Sequence, residues 1–264
     1  VAANAVALGA ECHLVGCLGD DGGGLDLERE LVRLGVQTDG VIRISDRPTT
    51  TKTRILARRQ QVVRFDQENP LPVPPEVAAG VLSLAQVLLP ACHAVILEDY
   101  NTGVLVPDVI RGTLKAAATQ GIPTVVDPKS RNFFDFHGCT VFKPNRLELE
   151  AALGEACRPD DPDWMAATRA RLDCGHLLLT LGEAGMSLET PESELIRVPS
   201  RARDVYDVSG AGDTVTAVVA AALAAGAEVT EAAILANHAA AVEVGKVGVA
   251  TVSPAEILQQ LSTG

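Results

Sequence analysis

The sequence contains few aromatic residues and no excess of basic charge. Aromatic residues make up 3% of the 264 residues, and 22 Lys and Arg stand against 34 Asp and Glu, which gives a formal net charge of −12 at pH 7. Proteins that bind nucleic acids usually combine a basic face with aromatic side chains that stack on bases. The composition therefore argues against a nucleic-acid partner.

Long apolar runs and metal-type cysteine spacings are also missing. A membrane-spanning helix needs roughly 20 consecutive apolar residues, whereas the nearest candidate, residues 215–227, is interrupted by Thr216. The six cysteines form no Cys-x-x-Cys pair and have no further ligands at zinc spacing, so neither a zinc site nor a disulfide framework is indicated. We expect a soluble cytoplasmic protein with reduced thiols and no membrane partner.

Short β-type segments alternate with helical patterns along most of the chain. The predicted strands are residues 12–18, 94–98, 124–127, 140–142 and 176–181, and the predicted helices between them are residues 25–34, 104–120, 146–153 and 164–172. Further helices are predicted from Gly212 to Gly226, over residues 230–245 and from Ser253. This alternation favours an α/β fold with a mainly parallel sheet between layers of helices.

One stretch departs from the alternation of strands and helices. Residues 49–57 and 61–68 alternate polar and apolar side chains and are joined by Arg58-Arg59-Gln60, which predicts an antiparallel hairpin. We interpret the hairpin as a lid, inserted at about residues 45–70 into one domain that covers residues 1–264. Because the chain starts at Val1 in what reads as the later part of a helix, we expect the natural domain to begin upstream.

The most informative segment is Asp207-Val208-Ser209-Gly210-Ala211-Gly212-Asp213. Its small residues let the backbone approach a ligand closely, and N–H groups at the start of a helix can hold an anion. Asp213 could then take a proton from a hydroxyl nucleophile, while the N–H groups of Gly210, Ala211 and Gly212 hold the charge on a transferring phosphoryl group. The alternative is that Asp213 only complements the helix dipole.

Two further motifs follow predicted strands. Asn145 and Glu148 have the spacing of a helix N-cap and its partner three residues later, and the same pair suits a site for Mg·ATP. Thr180, Gly182 and Gly185 end the next strand, where glycine N–H groups could reach phosphates. A plain strand-to-hairpin turn is the alternative for these three residues.

The 207–213 segment matches at every position the signature D-[TV]-x-G-A-G-D of the ribokinase-like (PfkB) sugar kinases, and the chain resembles that family. The N-terminal signature of the family is matched only in its second half, by Ala2, Gly9 and Gly19, and its Gly-rich part would lie upstream of the chain. The run from Gly19 to Gly24 resembles the family's G-x-D-x-x-G motif.

This resemblance implies a ribokinase-like fold with a small hairpin lid, short of its N-terminal strand and sugar loop, and an ATP-dependent kinase with Asp213 as base. It implies ATP and Mg²⁺ as cofactors, with Glu148 acting on Mg²⁺ largely through water. It also implies a monovalent cation, K⁺, at Asp207 with carbonyls near Gly248. The residues that it assigns to ATP are Asn145, Glu148, Thr180, Gly182, Gly185 and Asn237.

Within this family the chain most resembles the heptose 7-phosphate kinases, whether freestanding or joined to a nucleotidyltransferase. The likeness is carried by residues 49–54 with 60–66, 127–129 with 142–145, and 205–214. It implies phosphorylation of the anomeric hydroxyl of D-glycero-D-manno-heptose 7-phosphate to the 1,7-bisphosphate, which leads to nucleotide-activated heptose for lipopolysaccharide. Residues 98–103 depart from the pattern, with Glu-Asp-Tyr-Asn-Thr-Gly where these kinases typically have Ser-Asp-Tyr-Ala-Lys-Gly. A ribose, fructose or nucleoside kinase and a non-catalytic binding module remain as alternatives.

The predicted hairpin concentrates positive charge in an acidic chain. Its basic residues are Lys52, Arg54, Arg58, Arg59 and Arg64. Because the planar fork of arginine suits phosphate, we expect Lys52, Arg54 and Arg64 to bind the substrate's phosphate, unless the hairpin face is simply solvated. Asp99 and Lys129 are further substrate candidates, the latter because ligands gather at the carboxyl ends of parallel strands. Relatives often dimerise through the lid, so a homodimer is expected.

Overall fold

The computed structural model describes residues 1–57, 60–191, 195–202 and 205–263. Its strands are β1 (His13–Gly19), β2 (Gln37–Ile44), β3 (Thr51–Ala57), β4 (Gln60–Gln67), β5 (Val95–Glu98), β6 (Thr124–Asp127), β7 (Val141–Phe142), β8 (His176–Thr180), β9 (Met186–Glu189) and β10 (Ile196–Val198). Its α-helices are α1 (Ala2–Ala7), α2 (Gly22–Arg33), α3 (Pro75–Leu88), α4 (Pro107–Thr119), α5 (Arg146–Leu153), α6 (Pro162–Leu172), α7 (Ala211–Ala224), α8 (Val229–Glu243) and α9 (Pro254–Thr263). Within these ranges, no helix is long and apolar enough to cross a membrane.

The central sheet contains six strands in the order β10-β9-β8-β7-β6-β5. Strands β5 to β8 are parallel, whereas β9 and β10 run antiparallel to their neighbours. The predicted mainly parallel α/β fold is therefore confirmed. Strand β9 was not predicted because it is only four residues long and two of them, Ser187 and Glu189, are polar although they are buried.

Helices cover both faces of this sheet. Successive side chains of a strand point to opposite faces, so each strand contributes to two apolar clusters. Leu178 of β8 packs in one cluster with Val219 of α7 and Ala236 of α8. Its neighbours Leu177 and Leu179 lie in the other cluster, which includes Phe142, Leu149 and Met165. The two predicted helical layers are thus present, and each packs on apolar side chains of the sheet.

Strands β1 and β2 form a separate parallel pair beside helix α3. Apolar side chains of α3, among them Ala78 and Val81, pack near Ile42 of β2. Neither β2 nor α3 was predicted. The apolar alternation of β2 is broken by Asp39 and Gly40, and α3 follows the Pro-rich segment directly, with Pro74 as its N-cap.

Strands β3 and β4 form the predicted antiparallel hairpin. Arg58 and Arg59, at its predicted turn, lie outside the described residues. The hairpin base is tied to helix α2 through Asp21, which accepts hydrogen bonds from the N–H of Gly24 and from both the N–H and hydroxyl of Thr49. The Gly19 N–H also donates to the Thr49 hydroxyl, at 2.9 Å. The Gly19–Gly24 motif therefore positions the base of the hairpin.

Candidate active site

Charged side chains from three parallel strands meet near the start of α7. Glu98 is the last residue of β5, Asp127 is the last residue of β6, and Lys143 follows β7 directly. Carboxyl ends of parallel strands are where α/β sheets gather ligands. Carboxylate oxygens of Glu98, Asp127 and Asp213 all lie within 4.8 Å of one another.

Two lysines hold Asp127 in its ionised form. The Lys143 ammonium lies 2.8 Å from Oδ2 of Asp127, and the Lys129 ammonium lies 3.0 Å from Oδ1. Burial opposes ionisation of Asp127, but the two ammonium groups outweigh it and keep the pKa of this carboxyl below its usual value. The Lys143 side chain is itself buried, and its Nζ lies only 3.8 Å from where a Cβ on Gly212 would stand.

Lys143 was not predicted as a site residue. A lysine is almost never fully buried unless it is paired, and this one directly follows the apolar residues Val141 and Phe142 at the end of a strand. Its position at the end of a buried strand was the one signal in the sequence that could have identified it. The ion pair with Asp127 could not be predicted from the sequence, because Asp127 belongs to another strand.

Glu98 contributes a third carboxyl that is neutral at pH 7. Burial, with the neighbouring carboxylates Asp127 and Asp213, raises the pKa of Glu98 to about 9. Its Oε2 is buried and has no hydrogen-bond partner among the described residues. Glu98 stands where the resembling kinases typically have Ser, so a protonated acid occupies the position of a hydroxyl.

The 207–213 segment forms a loop followed by the first turn of α7. Gly210 is the N-cap and has φ of 99°, a left-handed conformation that glycine adopts without strain. Asp213 lies in the first turn of the helix, as predicted. The N–H of Ser209 donates to Oδ1 of Asp207 at 2.9 Å, and this hydrogen bonding keeps the pKa of Asp207 below its usual value.

Asn145 and Glu148 form a capping box at the start of α5, with the side chain of each bonded to the other's backbone N–H. The remaining oxygen of Glu148, Oε1, accepts a hydrogen bond from Lys129 at 2.6 Å. Burial opposes the charge of Lys129, but Asp127 and Glu148 outweigh it and raise the pKa of this ammonium. Lys129 therefore links Asp127, whose carboxylate lies near that of Asp213, to Glu148, the residue predicted to serve Mg²⁺.

The glycines of the 180–185 motif have different surroundings. Thr180 ends β8 beside Asn145, with which it forms a parallel bridge. A Cβ on Gly185 would lie 2.1 Å from the carbonyl oxygen of Val198, so the antiparallel return of the chain itself requires this glycine. A Cβ on Gly182 would meet no atom within 4 Å. The segment is thus a strand-to-hairpin turn that leaves Gly182 open to a ligand.

Two predicted ligand-binding residues are buried at different places. The side-chain amide of Asn237 donates to the carbonyl of Pro199 at 2.8 Å, which ties α8 to the segment after β10. Asp99 is 3% exposed, and burial raises its pKa. One of its oxygens accepts from the N–H of Asn101 at 2.7 Å. The other is buried without a partner in the described part of the chain.

The cations of the hairpin share one face. Arg54 is directly opposite Arg64, and Lys52 is directly opposite Asp66. Lys52 pairs with Asp66 and Glu68, and Arg64 pairs with Asp66 at 2.9 Å. The charge of Arg54 acts on Asp207 and helps to lower its pKa, so this arginine lies on the side of the 207–213 loop.

Comparison with known proteins identifies the family to which this arrangement belongs. The model of the pfkB family of carbohydrate kinases matches residues 1–256. The chain belongs to the pfkB family. Membership confirms the family and the enzyme class predicted from the sequence, an ATP-dependent sugar kinase.

Curated relatives and solved structures agree with this membership. The bifunctional protein HldE of Pelobacter propionicus is 42% identical over 98% of this chain, which spans only 54% of that protein. Phosphofructokinase-2 from Escherichia coli in complex with potassium covers 99% of the chain with a TM-score of 0.83 and 17% identity, and the match spans 85% of that structure. Ribokinase from Arabidopsis thaliana, complexed with ribose and ATP, covers 98% with a TM-score of 0.77 and 21% identity, and the match again spans 85%. The structural neighbours confirm the predicted ribokinase-like fold.

Replacement of Glu98 by Gln should change how stability depends on pH. The folded protein retains a proton on Glu98 up to about pH 9, whereas the unfolded chain releases it near pH 4.3, so stability falls as pH rises between these values. Glu98→Gln removes this linkage and keeps the shape of the side chain. We expect the variant to gain stability over the wild type by at most about 1.4 kcal/mol per pH unit across that window, measured by urea unfolding.

Glu76→Gln, at an exposed position in the first turn of α3, is the control for the substitution itself. A constant difference between Glu98→Gln and wild type at all pH values would show that folding does not shift the pKa of Glu98.

Proposed function

We propose that this chain is an ATP-dependent kinase that phosphorylates the anomeric hydroxyl of D-glycero-D-manno-heptose 7-phosphate, giving the 1,7-bisphosphate. The observation that carries the reaction type is the position of Asp213, in the first turn of α7 directly after Gly212, within 4.8 Å of the carboxylates of Glu98 and Asp127. The HldE relatives support the substrate. By the same resemblance, the product would feed nucleotide-activated heptose for lipopolysaccharide, and the use of ATP favours a cytoplasmic location.

The reaction divides between Asp213 and the groups around it. Asp213 takes the proton of the sugar hydroxyl as the oxygen attacks the terminal phosphorus of ATP, and ADP leaves with the electron pair of the broken bond between that phosphorus and its bridging oxygen. The backbone N–H groups from Gly210 to Gly212, at the positive end of the α7 dipole, hold the charge that develops on the phosphoryl oxygens. The Lys143 ammonium, close to Gly212 and fixed by Asp127, adds positive charge at the same place.

Glu148 and Asp207 offer the hard carboxylate oxygens that suit the cations implied by the family. Glu148 already faces a cation, the ammonium of Lys129, so its Oε1 is oriented toward positive charge. We assign Glu148 to Mg²⁺ through water, and Asn145, Thr180, Gly182, Gly185 and Asn237 to ATP. Mg²⁺ would neutralise phosphate charge when bound. Asp207, held ionised by the hydrogen bonds of Ser209, would serve K⁺ with carbonyls near Gly248.

The hairpin register supports a phosphorylated substrate. Like charges placed directly opposite each other destabilise a two-stranded sheet, yet Arg54 is opposite Arg64. Asp66 takes part of the charge of Arg64, whereas Arg54 has no such ion pair among the described residues. A phosphate between the two guanidinium groups would relieve the repulsion and accept several hydrogen bonds. Lys52, Asp99 and Lys129 are the other residues that we assign to the sugar phosphate.

A kinase for an unphosphorylated sugar is the second candidate. The acids Asp66 and Glu68 already neutralise Lys52, and Asp66 also pairs with Arg64. If these pairs persist in the complex, the hairpin offers less positive charge to a phosphate than its sequence suggests. The two candidates differ in the sugar that they accept.

A substrate comparison tests the proposal directly. ADP release should be efficient with heptose 7-phosphate. The value of kcat/KM for ribose and fructose should be lower by orders of magnitude, because a sugar without a phosphate leaves the cationic groups of the substrate site without a partner. Arg54→Gln should raise KM for heptose 7-phosphate by about 10- to 100-fold and leave KM for ATP nearly unchanged.

Arg29→Gln, an exposed arginine on α2, is the matched control for the loss of one guanidinium group. Comparable turnover of ribose or fructose would favour the second candidate and refute heptose 7-phosphate as the preferred substrate.

Asp213→Asn tests the base. The variant should lose about 10²- to 10⁴-fold in kcat, because the amide cannot accept the proton, and should keep its affinity for ATP, measured by isothermal titration calorimetry. Asp108→Asn is the control, because Asp108 is also an acid in the first turn of a helix, α4. Equal and small effects of the two substitutions would mean that Asp213 only complements the helix dipole.

The domain boundaries and the dimer remain proposals. We propose that residues 1–264 belong to one kinase domain and that two copies associate through the hairpin lid. The face opposite the cations exposes Ile55, Val63 and Phe65, which are 49%, 45% and 57% exposed. A two-stranded hairpin alone is marginally stable in water, so a second hairpin packed on this face would stabilise it.

Phe65→Lys should therefore shift the protein from dimer to monomer in sedimentation velocity experiments. Val87→Lys, at an exposed valine on α3 that is remote from the hairpin in sequence, is the control and should leave the dimer intact. A monomeric wild type, or a Phe65→Lys dimer, would contradict association through the lid.

A further inference from the structure

Glu98 is an acid beside the candidate base that the proposed reaction does not use. It ends β5, and one of its carboxyl oxygens lies within 4.8 Å of an oxygen of Asp213 and of an oxygen of Asp127. Its Oε2 is buried without a hydrogen-bond partner in the part of the chain that the structure describes. A buried polar atom without a partner is costly, so the acid proton of Glu98 needs an acceptor within this cluster.

The two neighbouring carboxylates differ in their capacity to accept that proton. Both oxygens of Asp127 already accept from ammonium groups, Oδ2 from Lys143 at 2.8 Å and Oδ1 from Lys129 at 3.0 Å. Asp213 forms no ion pair with a lysine or arginine among the described residues, and the amino group of Val1 lies 3.7 Å from its Oδ2. Asp213 is therefore the carboxylate that has an oxygen available for a further hydrogen bond.

The charge balance of the cluster also favours a neutral Glu98. Lys143 is paired with Asp127, and Lys129 is shared between Asp127 and Glu148. An ionised Glu98 would therefore add an uncompensated negative charge where the phosphates of ATP have to approach. Burial, the largest effect, and the neighbouring carboxylates raise the pKa of Glu98 to about 9, in agreement with this balance.

Two further titratable groups face the cluster but keep their protons in the range in which Glu98 ionises. Tyr100 follows Glu98 in the chain by two residues, and its phenol faces Asp213. Burial of this hydroxyl and the charges of the three carboxyl groups raise the pKa of Tyr100. The pKa of Lys129 is raised as well, because Asp127 and Glu148 outweigh its burial.

We propose that Glu98 is a positioning residue whose carboxyl O–H donates to one oxygen of Asp213 and so directs the other oxygen toward the sugar hydroxyl. The proposal rests on the kinase reaction proposed above. A rotation of the Glu98 side chain is enough to close the distance to Asp213. The proton balance of the reaction is unchanged, because the hydroxyl proton passes to Asp213 while Glu98 keeps its own.

The kinetic test is the dependence of kcat on pH with heptose 7-phosphate, between about pH 6 and pH 10. The wild type should lose activity above about pH 9, because an ionised Glu98 no longer donates and adds a negative charge. Glu98→Gln should lack this alkaline loss, since an amide donates without ionising. Glu98→Met has no donor and should have a kcat about tenfold below that of Glu98→Gln at pH 7.

Glu189→Gln is the matched control. Glu189 also ends a strand of the sheet, β9, and is buried, and burial raises its pKa as well. This variant should keep the alkaline loss of the wild type. A loss that persists in Glu98→Gln, for example one that arises from the amino group of Val1, would overturn the role of Glu98. A wild type without any alkaline loss would overturn it too.

Infrared spectra test the pair without turnover. The C=O stretch of protonated Glu98 is assigned by its absence from either variant at this position. Its titration midpoint should fall by at least about one pH unit in Asp213→Asn, which loses both the acceptor and the repelling charge. Asp108→Asn, the control, should leave the midpoint unchanged.

An unchanged midpoint in Asp213→Asn would overturn the pairing of Glu98 with Asp213, whatever the protein phosphorylates. A shifted midpoint in a protein that turns over no sugar would support the pair and refute the proposed reaction instead.

Discussion

The buried ion pair between Asp127 and Lys143 is the interaction on which the candidate site depends. The two residues end adjacent parallel strands, and either charge alone would be costly in this apolar sheet. Their pairing fixes the carboxylate of Asp127, which adds to the effect of burial in raising the pKa of Glu98 and which also engages Lys129. It also brings an ammonium group next to Gly212. The sheet thereby determines the electrostatics at the starts of both α5 and α7.

Local patterns predicted much of the fold. The bounds of β6 and α5 agree with the prediction, because β6 is a short apolar run and α5 has an Asn N-cap with a Glu three residues later. The 207–213 loop was also recognised locally. The contacts of Lys143 and Glu98 were not, because each depends on residues from other elements. No spacing along the chain encodes the distance between Asp127 and Lys143.

The motifs that carry the family resemblance include both residues that shape the backbone and residues that are assigned to ligands. Gly185 is required because the chain returns against Val198, whereas Gly182 stands free. Gly24 is similarly constrained, since a Cβ there would lie 2.3 Å from the carbonyl oxygen of Gly19. Asn145 and Glu148 cap a helix and also present one carboxylate oxygen to a cation. A match to a motif therefore does not by itself separate residues that shape the site from residues that touch its ligands.

The hairpin register has a consequence for how this chain can vary. Because side chains alternate between the two faces of a strand, one inserted or deleted residue in β3 or β4 would move every following side chain to the opposite face. An insertion in β3 before Arg54 would turn Arg54 toward the side that now carries Ile55, and one in β4 before Arg64 would turn Arg64 toward the side that now carries Phe65. The register shift between Ile55 and Leu56 lies on the turn side of Arg54 and Arg64, so it leaves these two residues opposite each other. A change of length between the hairpin base and these arginines would separate them.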